Sequence, residues 1–544
     1  MNHIHTSGPC ALLLCGLLLL SGCTASPDSS ATASATPAQT DTPVTQTSST
    51  WFSDRDLEGS YDESQAIDIT LNGTSASCDA DGVAISGSQV VISAEGTYRL
   101  SGTLEDGQIV VNAADTDKVQ LVLDGVTIHS ATSAAIYALE ADKVFVTLAE
   151  GSENTLSNGG SYVAIDDNNI DSVIFAKTDL TLNGSGSLTI QAEVGHGVVS
   201  KDDLVVTGGS YTITAASHGM TGKDSVAIAG GTFAITSGKD GIHAENTEDT
   251  TLGALYIADG TYTIHAQGDA ISASGTLQID GGTFDLTTGD GSASVDMTTS
   301  DSFAPGRPGT TATQETTSTE EDTTSQKGIK GESSYTINGG TFTIDSADDC
   351  LHAGGVMVLA AGEFDLSSGD DAVHCDDALT IQSGTFTIPY CYEGIEGLSI
   401  TIEDGVFDIT SNDDGLNAAG GADSSGFGGF GGRPQDTFAS DSDSFIIING
   451  GTITIVSGGD SVDSNGDLTI NGGTLNLTCN GNGDTALDCD GTYTNNGGDV
   501  TTNDGSESNP GGMTGGGGGG MGGQRPDRGS GQPPSMPEET PPAA

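Results

Sequence analysis

The chain has 544 residues, a length that would ordinarily be divided into about three or four domains. Its 76 Asp and Glu residues against 14 Lys and Arg residues give a formal net charge of −62. This charge excludes nucleic acid as a partner, because nucleic acids are bound through clustered Lys and Arg. With 81 Gly residues and only 5% aromatic residues, the composition favours many turns over compact helical cores.

Residues 1–23 are typical of an export signal. An apolar run over residues 10–20 is too short to span a bilayer, and it leads into Leu20-Ser21-Gly22-Cys23, which resembles the bacterial lipobox. We therefore expect lipidation at Cys23 and a protein that is exported and lipid-anchored to the bacterial cell membrane, facing outside. An ordinary cleaved signal is the alternative, because no Lys or Arg precedes the apolar run.

A 22-residue repeat dominates the chain after a predicted disordered stalk at residues 24–65. Residues two and four positions after each repeat glycine are aromatic or aliphatic and alternate with polar ones, which predicts strands with one buried face. Three such segments per unit leave no room for a helix, so we expect an all-β, single-stranded parallel β-helix with about 22 residues per coil. The repeat glycines are Gly209, Gly231, Gly260, Gly282, Gly340, Gly362, Gly384, Gly405, Gly451 and Gly473.

The repeat places the β-helix at residues 66–504, with polar insertions at 295–333 and 420–444. Residues 505–544 are rich in Gly and Pro, which predicts a disordered tail. The aromatic position of each unit should point inward. We expect six buried phenylalanines: Phe233, Phe284, Phe342, Phe364, Phe386 and Phe407.

The column nine positions after the repeat glycines is mostly acidic, and we expect it to face outward: His218, Asp240, Asp269, Gly291, Asp349, Asp371, Glu393, Asp414 and Asp460. Neighbouring coils lie about 4.8 Å apart, so stacked carboxylates repel by on the order of 1 kcal/mol each. Calcium could bridge such carboxylates. The predicted metal ligands are Asp348, Asp349, Asp370, Asp371, Glu393, Glu396, Asp413, Asp414, Asp460 and Asp463. The alternative is that these acids only form turns and stay solvated.

A second polar column lies twelve positions after the glycines and includes His352, His374 and Asn417. These three residues, with Tyr390 and Tyr392 beside the acids, are candidate ligand-binding residues, because aromatic faces and polar groups together suit a sugar ring. The two histidines could also bind a softer metal. Solvated turn histidines and half-exposed corner tyrosines are the alternative explanation.

Two strings in the acidic region resemble a known family: Tyr392-Glu393-Gly394-Ile395-Glu396-Gly397 and Asp413-Asp414-Gly415-Leu416-Asn417-Ala418-Ala419-Gly420-Gly421. They are similar to the bacterial carbohydrate-binding β-helix lipoproteins of cellulolytic clostridia, and the resemblance covers roughly residues 66 to 500. The family implies a right-handed parallel β-helix similar to family 9 pectate lyases, bound calcium, and affinity for plant-type polysaccharides, including acidic ones such as polygalacturonate.

Pectate lyases also need a basic side chain that removes a proton from the substrate. The chain has no Lys after Lys330, and Arg433 is the only cation between Lys330 and Arg525. We therefore predict no catalytic residue and a monomeric protein that binds polysaccharide. A calcium-dependent polysaccharide lyase and a structural or adhesive surface β-helix are the two alternatives.

Overall fold

The computed structural model describes residues 51–160, 162–163, 168–295, 297, 325–419, 444–481 and 484–510. The predicted signal with Cys23, most of both insertions and residues 511–544 lie outside this part of the chain. Within it, the α-helix spans only Asp54–Leu57, and no helix is long and apolar enough to cross a membrane. Two short 3-10 helices span Ser292–Ser294 and Ser506–Ser508.

The described strands form one long, mostly parallel sheet that is open rather than closed. Along most of it, each strand pairs in parallel with the third strand before it and the third strand after it, which makes three rows of strands. The first row follows the repeat glycines and contains Glu153–Asn158, Ser187–Ala192, Ser210–Ala215, Thr232–Ser237, Thr261–Ala266, Thr283–Thr288, Thr341–Ser346, Glu363–Ser368, Thr385–Tyr390, Val406–Thr410, Thr452–Ser457, Thr474–Cys479 and Asp499–Thr502.

The second and third rows complete each repeat unit. The second row contains Gln108–Asn112, Ile136–Glu140, Ser172–Ala176, His196–Ser200, Met220–Gly222, Ile242–Ala244, Ile271–Ala273, Ile329–Gly331, Leu351–Ala353, Leu416–Ala418, Val462–Ser464 and Asp488–Cys489. The third row contains Lys143–Leu148, Asp179–Gly184, Asp203–Val206, Ser225–Ile228, Ala254–Ile257, Leu277–Ile279, Ser334–Ile337, Val356–Leu359, Phe445–Ile448, Asp467–Ile470 and Tyr493–Asn495. Two longer strands, Val373–Ile381 and Ile395–Ile402, pass through both rows.

The N-terminal end of the sheet is less regular. Ile67–Gly73 pairs antiparallel with Ala76–Ser77, and Val83–Ser86 pairs antiparallel with Gln89–Ile92. The longer strands Gly96–Leu104 and Lys118–Ser130 then begin the parallel pairing.

Equivalent residues of successive units stack directly on one another. Phe342 pairs in register with Phe284 and Phe364, and the ring centroids lie 4.7 and 4.9 Å away. All six predicted phenylalanines are at most 3% exposed, which confirms their inward orientation. Burying each such ring contributes about 1.5–3 kcal/mol, and stacking adds about 0.5–1.5 kcal/mol per pair.

The repeat glycines are required by this stacking. Gly340 has φ +122°, and a Cβ there would lie 3.0 Å from the Phe342 ring and 3.1 Å from the carbonyl oxygen of Gly282. A larger residue would therefore be strained by its own backbone and by the aromatic stack.

Three predicted boundaries need correction. The stalk does not extend to residue 65, because the helix at residues 54–57 packs on the sheet: Asp56 is 2% exposed and its Oδ1 lies 2.8 Å from Lys143 Nζ. The first insertion ends before 333, since Ile329–Gly331 is a strand of the sheet. The tail begins after 505, because Ser506 is buried and its hydroxyl accepts a hydrogen bond from Leu487 N–H.

Candidate functional site

Two polar columns flank the short second-row strands. The ninth-position column is joined by backbone hydrogen bonds between units and contains His218, Asp240, Asp269, Lys327, Asp349, Asp371, Glu393, Asp414 and Asp460. The twelfth-position column is in register along the sheet and contains Thr221, His243, Ser272, Lys330, His352, His374, Glu396, Asn417, Asp463 and Asp488. The two columns run side by side, so each pair of units brings four polar side chains together.

The carboxylates of the ninth-position column accept backbone hydrogen bonds from the next unit. Asp349 Oδ1 accepts from the Asp371 N–H at 3.0 Å, and Asp414 Oδ1 accepts from the Asp460 N–H at 2.7 Å. The alternative of solvated acids is wrong for this column, since Asp349 and Asp371 are 1% and 5% exposed. Stacking of the units removes them from water.

Lys327 occupies the position at which the sequence spacing placed Gly291. The insertion shifts the register, and Lys327 Nζ lies 3.1 Å from Asp348 Oδ1 and 2.6 Å from Asp349 Oδ2. Burial opposes ionisation of Asp349, but Lys327 and the nearby histidines hold the pKa of this carboxyl well below its usual range. Burial and Lys327 lower the pKa of His352, whose Nδ1 lies 2.9 Å from Asp349 Oδ2. The Lys327 ammonium therefore offsets negative charge at the first acids of the run, Asp348 and Asp349.

His374 lies between two of the predicted metal ligands. Its Nδ1 is 2.9 Å from Asp371 Oδ2 and 3.2 Å from Glu396 Oε2, and its Nε2 is 3.1 Å from Asp376 Oδ1. Burial opposes the charged imidazole, but the three carboxylates outweigh it and raise the pKa of His374 well above its usual range. Because a nitrogen separates Asp371 from Glu396, these two acids do not form the all-oxygen calcium bridge that the sequence predicted.

Glu393 and Asn417 form a group of oxygen donors together with the neighbouring carboxylates of Glu396, Asp413 and Asp414. Asn417 Nδ2 donates to Glu393 Oε2 at 2.7 Å, whereas Asn417 Oδ1 is buried and has no hydrogen-bond partner among the described residues. Burial, followed by the charges of Glu396, Asp414 and Asp413, raises the pKa of Glu393 well above its usual range. An orphaned amide oxygen beside buried carboxylates fits a cation that binds through oxygen.

Asp460, Asp463 and Asp488 form a second oxygen-only group, with carboxylate oxygens within 4.8 Å of one another. Burial, followed by the charges of Asp463 and Asp488, raises the pKa of Asp460 to about 7. Asp488 was not among the predicted ligands, although this residue continues the twelfth-position column after Asp463. These two groups fit calcium. In the group of Asp348, Asp349 and Asp370, the Lys327 ammonium contacts the first two acids and disfavours a second cation there.

The candidate sugar-binding residues divide between buried and half-buried positions. His352, His374 and Asn417 are at most 5% exposed, and they contact acids, so a polymer cannot reach them in this structure. Tyr390 and Tyr392 are half-buried beside the acids, and the Tyr392 N–H donates to the Asp370 carbonyl oxygen at 2.8 Å. Of the predicted set, only the two tyrosines therefore remain candidates for direct contact with a sugar.

These features define a repeat-built all-β protein whose sheet carries buried columns of acids, histidines and lysines. The family described as carbohydrate-binding domain-containing protein matches residues 86–372 and 370–517. Because this match covers most of the sequence, the chain belongs to the family of carbohydrate-binding domain-containing proteins.

Two individual relatives are similar to parts of the chain. A carbohydrate-binding domain-containing protein of Acetivibrio thermocellus is 39% identical over 137 residues, which are 25% of this chain and 48% of the relative. The match thus spans about half the length of that relative. The solved structure of the polysaccharide lyase-like protein from C. thermocellum, a gadolinium derivative, is 37% identical with a TM-score of 0.40, and the match covers 41% of this chain and 92% of that chain.

Proposed function

We propose that the protein binds polysaccharide of the plant cell-wall type, including acidic polymers, through a calcium-loaded, right-handed parallel β-helix. The pairing register supports the coil: Phe342, Phe364 and Phe386 pair in succession, and each step is one repeat of 22 residues. Membership of a carbohydrate-binding family supports the ligand class.

The observation that carries the proposal is the group of oxygen donors around Glu393 and Asn417. Burial and the neighbouring carboxylates destabilise Glu393 as an anion, and its raised pKa expresses this cost. Calcium takes 6–8 oxygen ligands at about 2.3–2.6 Å, so the carboxylates and the unpaired Asn417 oxygen could supply part of one coordination sphere. Because a polymer cannot reach Asn417 in this structure, calcium would support binding by holding the neighbouring Tyr390 and Tyr392 in place, and these two tyrosines would contact the sugar.

The proposed setting is the outer side of a bacterial membrane. Lipidation at Cys23 would anchor the chain, and residues 24–50 would separate the sheet from the lipid. A negatively charged protein of this kind needs bound cations to approach acidic polymers, since like charges repel.

A calcium-dependent polysaccharide lyase is the second candidate, and Lys327 is the observation in its favour. This lysine is a basic side chain next to the acids, at a place where the repeat spacing predicted none. However, Lys327 is 1% exposed and contacts two carboxylates, so substrate could not reach its amine without rearrangement. Binding without catalysis therefore fits the geometry better.

Affinity electrophoresis through gels that contain neutral or acidic plant polysaccharides tests the proposal. We expect retardation in at least one gel with calcium and its loss with chelator, while polygalacturonate yields no absorbance from unsaturated uronates. Retardation in no gel would support a structural or adhesive role, and release of unsaturated uronates would support the lyase.

A further inference from the structure

A second group of metal-ligand residues lies outside the acidic run, in earlier repeat units. His218, Asp240 and His243 belong to two successive units, and their potential ligand atoms lie within 4.8 Å of one another. Asp240 Oδ2 lies 3.4 Å from His218 Nδ1 and 2.6 Å from His243 Nδ1. Ligands of a tetrahedral zinc ion, at about 2.0–2.2 Å from the metal, are roughly 3.3 Å apart, so small movements would complete the arrangement.

Hydrogen bonds turn the Nδ1 atoms of both histidines toward Asp240. His243 Nε2 lies 3.2 Å from Glu245 Oε2, so Glu245 can hold the Nε2 proton while a metal ion replaces the proton that Nδ1 shares with Asp240 Oδ2 at 2.6 Å. His218 Nδ1 accepts a long hydrogen bond of 3.3 Å from the Asp240 N–H, which turns this nitrogen toward Asp240. The two rings stack with centroids 4.5 Å apart and present the same edge to the carboxylate.

The remaining polar neighbours are compatible with a bound ion. Ser272 Oγ lies 2.7 Å from His243 Nδ1 and donates to Asp240 Oδ2 at 3.1 Å, so its hydroxyl can orient the carboxylate. Thr221, in register with His243, has a hydroxyl oxygen that is shielded from solvent and lacks a hydrogen-bond partner within the described part of the chain. A water in the fourth metal position would provide that partner.

We propose that His218, Asp240 and His243 bind a divalent transition metal of the zinc class, which cross-links two repeat units. Two imidazoles and one carboxylate suit zinc, cobalt or nickel, whereas calcium binds through oxygen. Glu245 is the positioning residue that orients His243. This inference is independent of the proposed polysaccharide binding.

Two related arrangements in the acidic run differ in their chemistry. At Asp349 and His352, Gly354 stands where the first cluster has Glu245. The Lys327 ammonium also contacts Asp349, so we expect no metal ion to bind there. At Asp371 and His374, the third potential ligand is the Glu396 carboxylate of the next unit and not a second imidazole. The first of these provides a natural comparison within the same chain.

The test is titration of the metal-free full chain with cobalt(II), in excess calcium so that the oxygen-only groups are occupied. We expect the visible absorbance that is typical of nitrogen-ligated, four-coordinate cobalt. Added zinc should displace the cobalt and remove this absorbance. His218→Gln and His243→Gln should abolish this signal. Glu245→Gln, at a side chain 48% exposed, should weaken cobalt binding by about 10–100-fold without unfolding the protein.

The matched controls are His352→Gln in the cluster that contains Lys327 and His265→Gln on an exposed strand position. Both should bind cobalt like the wild type, and circular dichroism should show the same strand content in every variant. The proposal is overturned if the wild type binds neither cobalt nor zinc in excess calcium. It is also overturned if His243→Gln and Glu245→Gln keep wild-type affinity, or if only His374→Gln removes the signal.

Discussion

Lys327 and Asp349 form a buried ion pair that crosses from one repeat unit to the next. The Lys327 Nζ lies 2.6 Å from Asp349 Oδ2, and the two side chains are 2% and 1% exposed. An insertion precedes Lys327, and the chain re-enters the sheet at a point where an ammonium neutralises the first acids of the run.

Removing this ammonium should destabilise the protein strongly. Lys327→Met leaves Asp349 buried beside Asp348 without its cation, which we expect to cost about 3–5 kcal/mol of unfolding free energy, measured by urea unfolding. Lys118→Met breaks an exposed pair with Asp142 and should cost about 0–1 kcal/mol. Equal effects of the two substitutions would show that the buried pair contributes no more than a surface one.

The segment before the sheet should detach on acidification. Burial opposes ionisation of Asp56, but hydrogen bonds from Lys143, Ser53 and Thr181 lower its pKa below the ordinary 3.8. Its contribution to stability is therefore complete above pH 3.8 and is lost as the pH falls through the lower pKa of the folded state.

Trp51, the one tryptophan of the chain, stacks on Tyr256 at 5.4 Å and reports this contact by its fluorescence. Emission should shift to the red below pH 3.8 in the wild type, while Asp56→Asn should already be red-shifted at neutral pH. Asp54→Asn, at an exposed position of the same helix, is the control and should behave like the wild type. Identical pH profiles for all three proteins would contradict the role of Asp56.

The aromatic stack should dominate the stability of the central units. Phe342→Ala removes a fully buried ring between Phe284 and Phe364, and we expect a loss of about 3–5 kcal/mol in unfolding free energy. Val406→Ala, at a side chain position that is 51% exposed, should change little. Calorimetric melting of both variants checks this, and a small loss for Phe342→Ala would mean that the stack is not a continuous core.

The sequence predicted the strands well because aromatic and aliphatic positions recur at fixed distances from the repeat glycines. It failed where an insertion hides the register, as at Lys327. The spacing of Lys327-Gly328-Ile329-Lys330 matches Asp240-Gly241-Ile242-His243, so alignment on the Gly-Ile pair would have located both lysines.

The depth of the polar columns could not be read from the sequence. Acids and histidines are typical of surfaces, and only the stacked units show that Asp371, His374 and Glu396 are shielded from water. The N-terminal helix did have a local signal, since Ser53 and Asp56 form a capping box next to two aromatic residues. The position of this helix on the sheet could not be predicted, because it depends on contacts with residues distant in sequence, such as Lys143 and Thr181.

Calcium should stabilise the fold through the oxygen-donor group around Glu393. A ligand that binds only the folded state adds about 2.7 kcal/mol at 100 times its dissociation constant, so chelator should lower the melting temperature at constant ionic strength. Glu393→Gln with Glu396→Gln replaces two buried carboxyl groups by amides of the same shape and should abolish most of this chelator sensitivity. Asp408→Asn, on an exposed strand position, should retain it. Equal melting of the wild type with calcium and with chelator would contradict calcium binding.

The most direct test of the account is sedimentation of the protein with insoluble plant cell-wall polysaccharide, in calcium and in chelator. We predict that the wild type and Asp408→Asn sediment with the polymer in calcium and remain in solution with chelator. The Glu393→Gln, Glu396→Gln double variant should remain in solution under both conditions while keeping its strand content by circular dichroism. Binding of the wild type that is equal with calcium and with chelator, or absent in both, would contradict calcium-dependent polysaccharide binding.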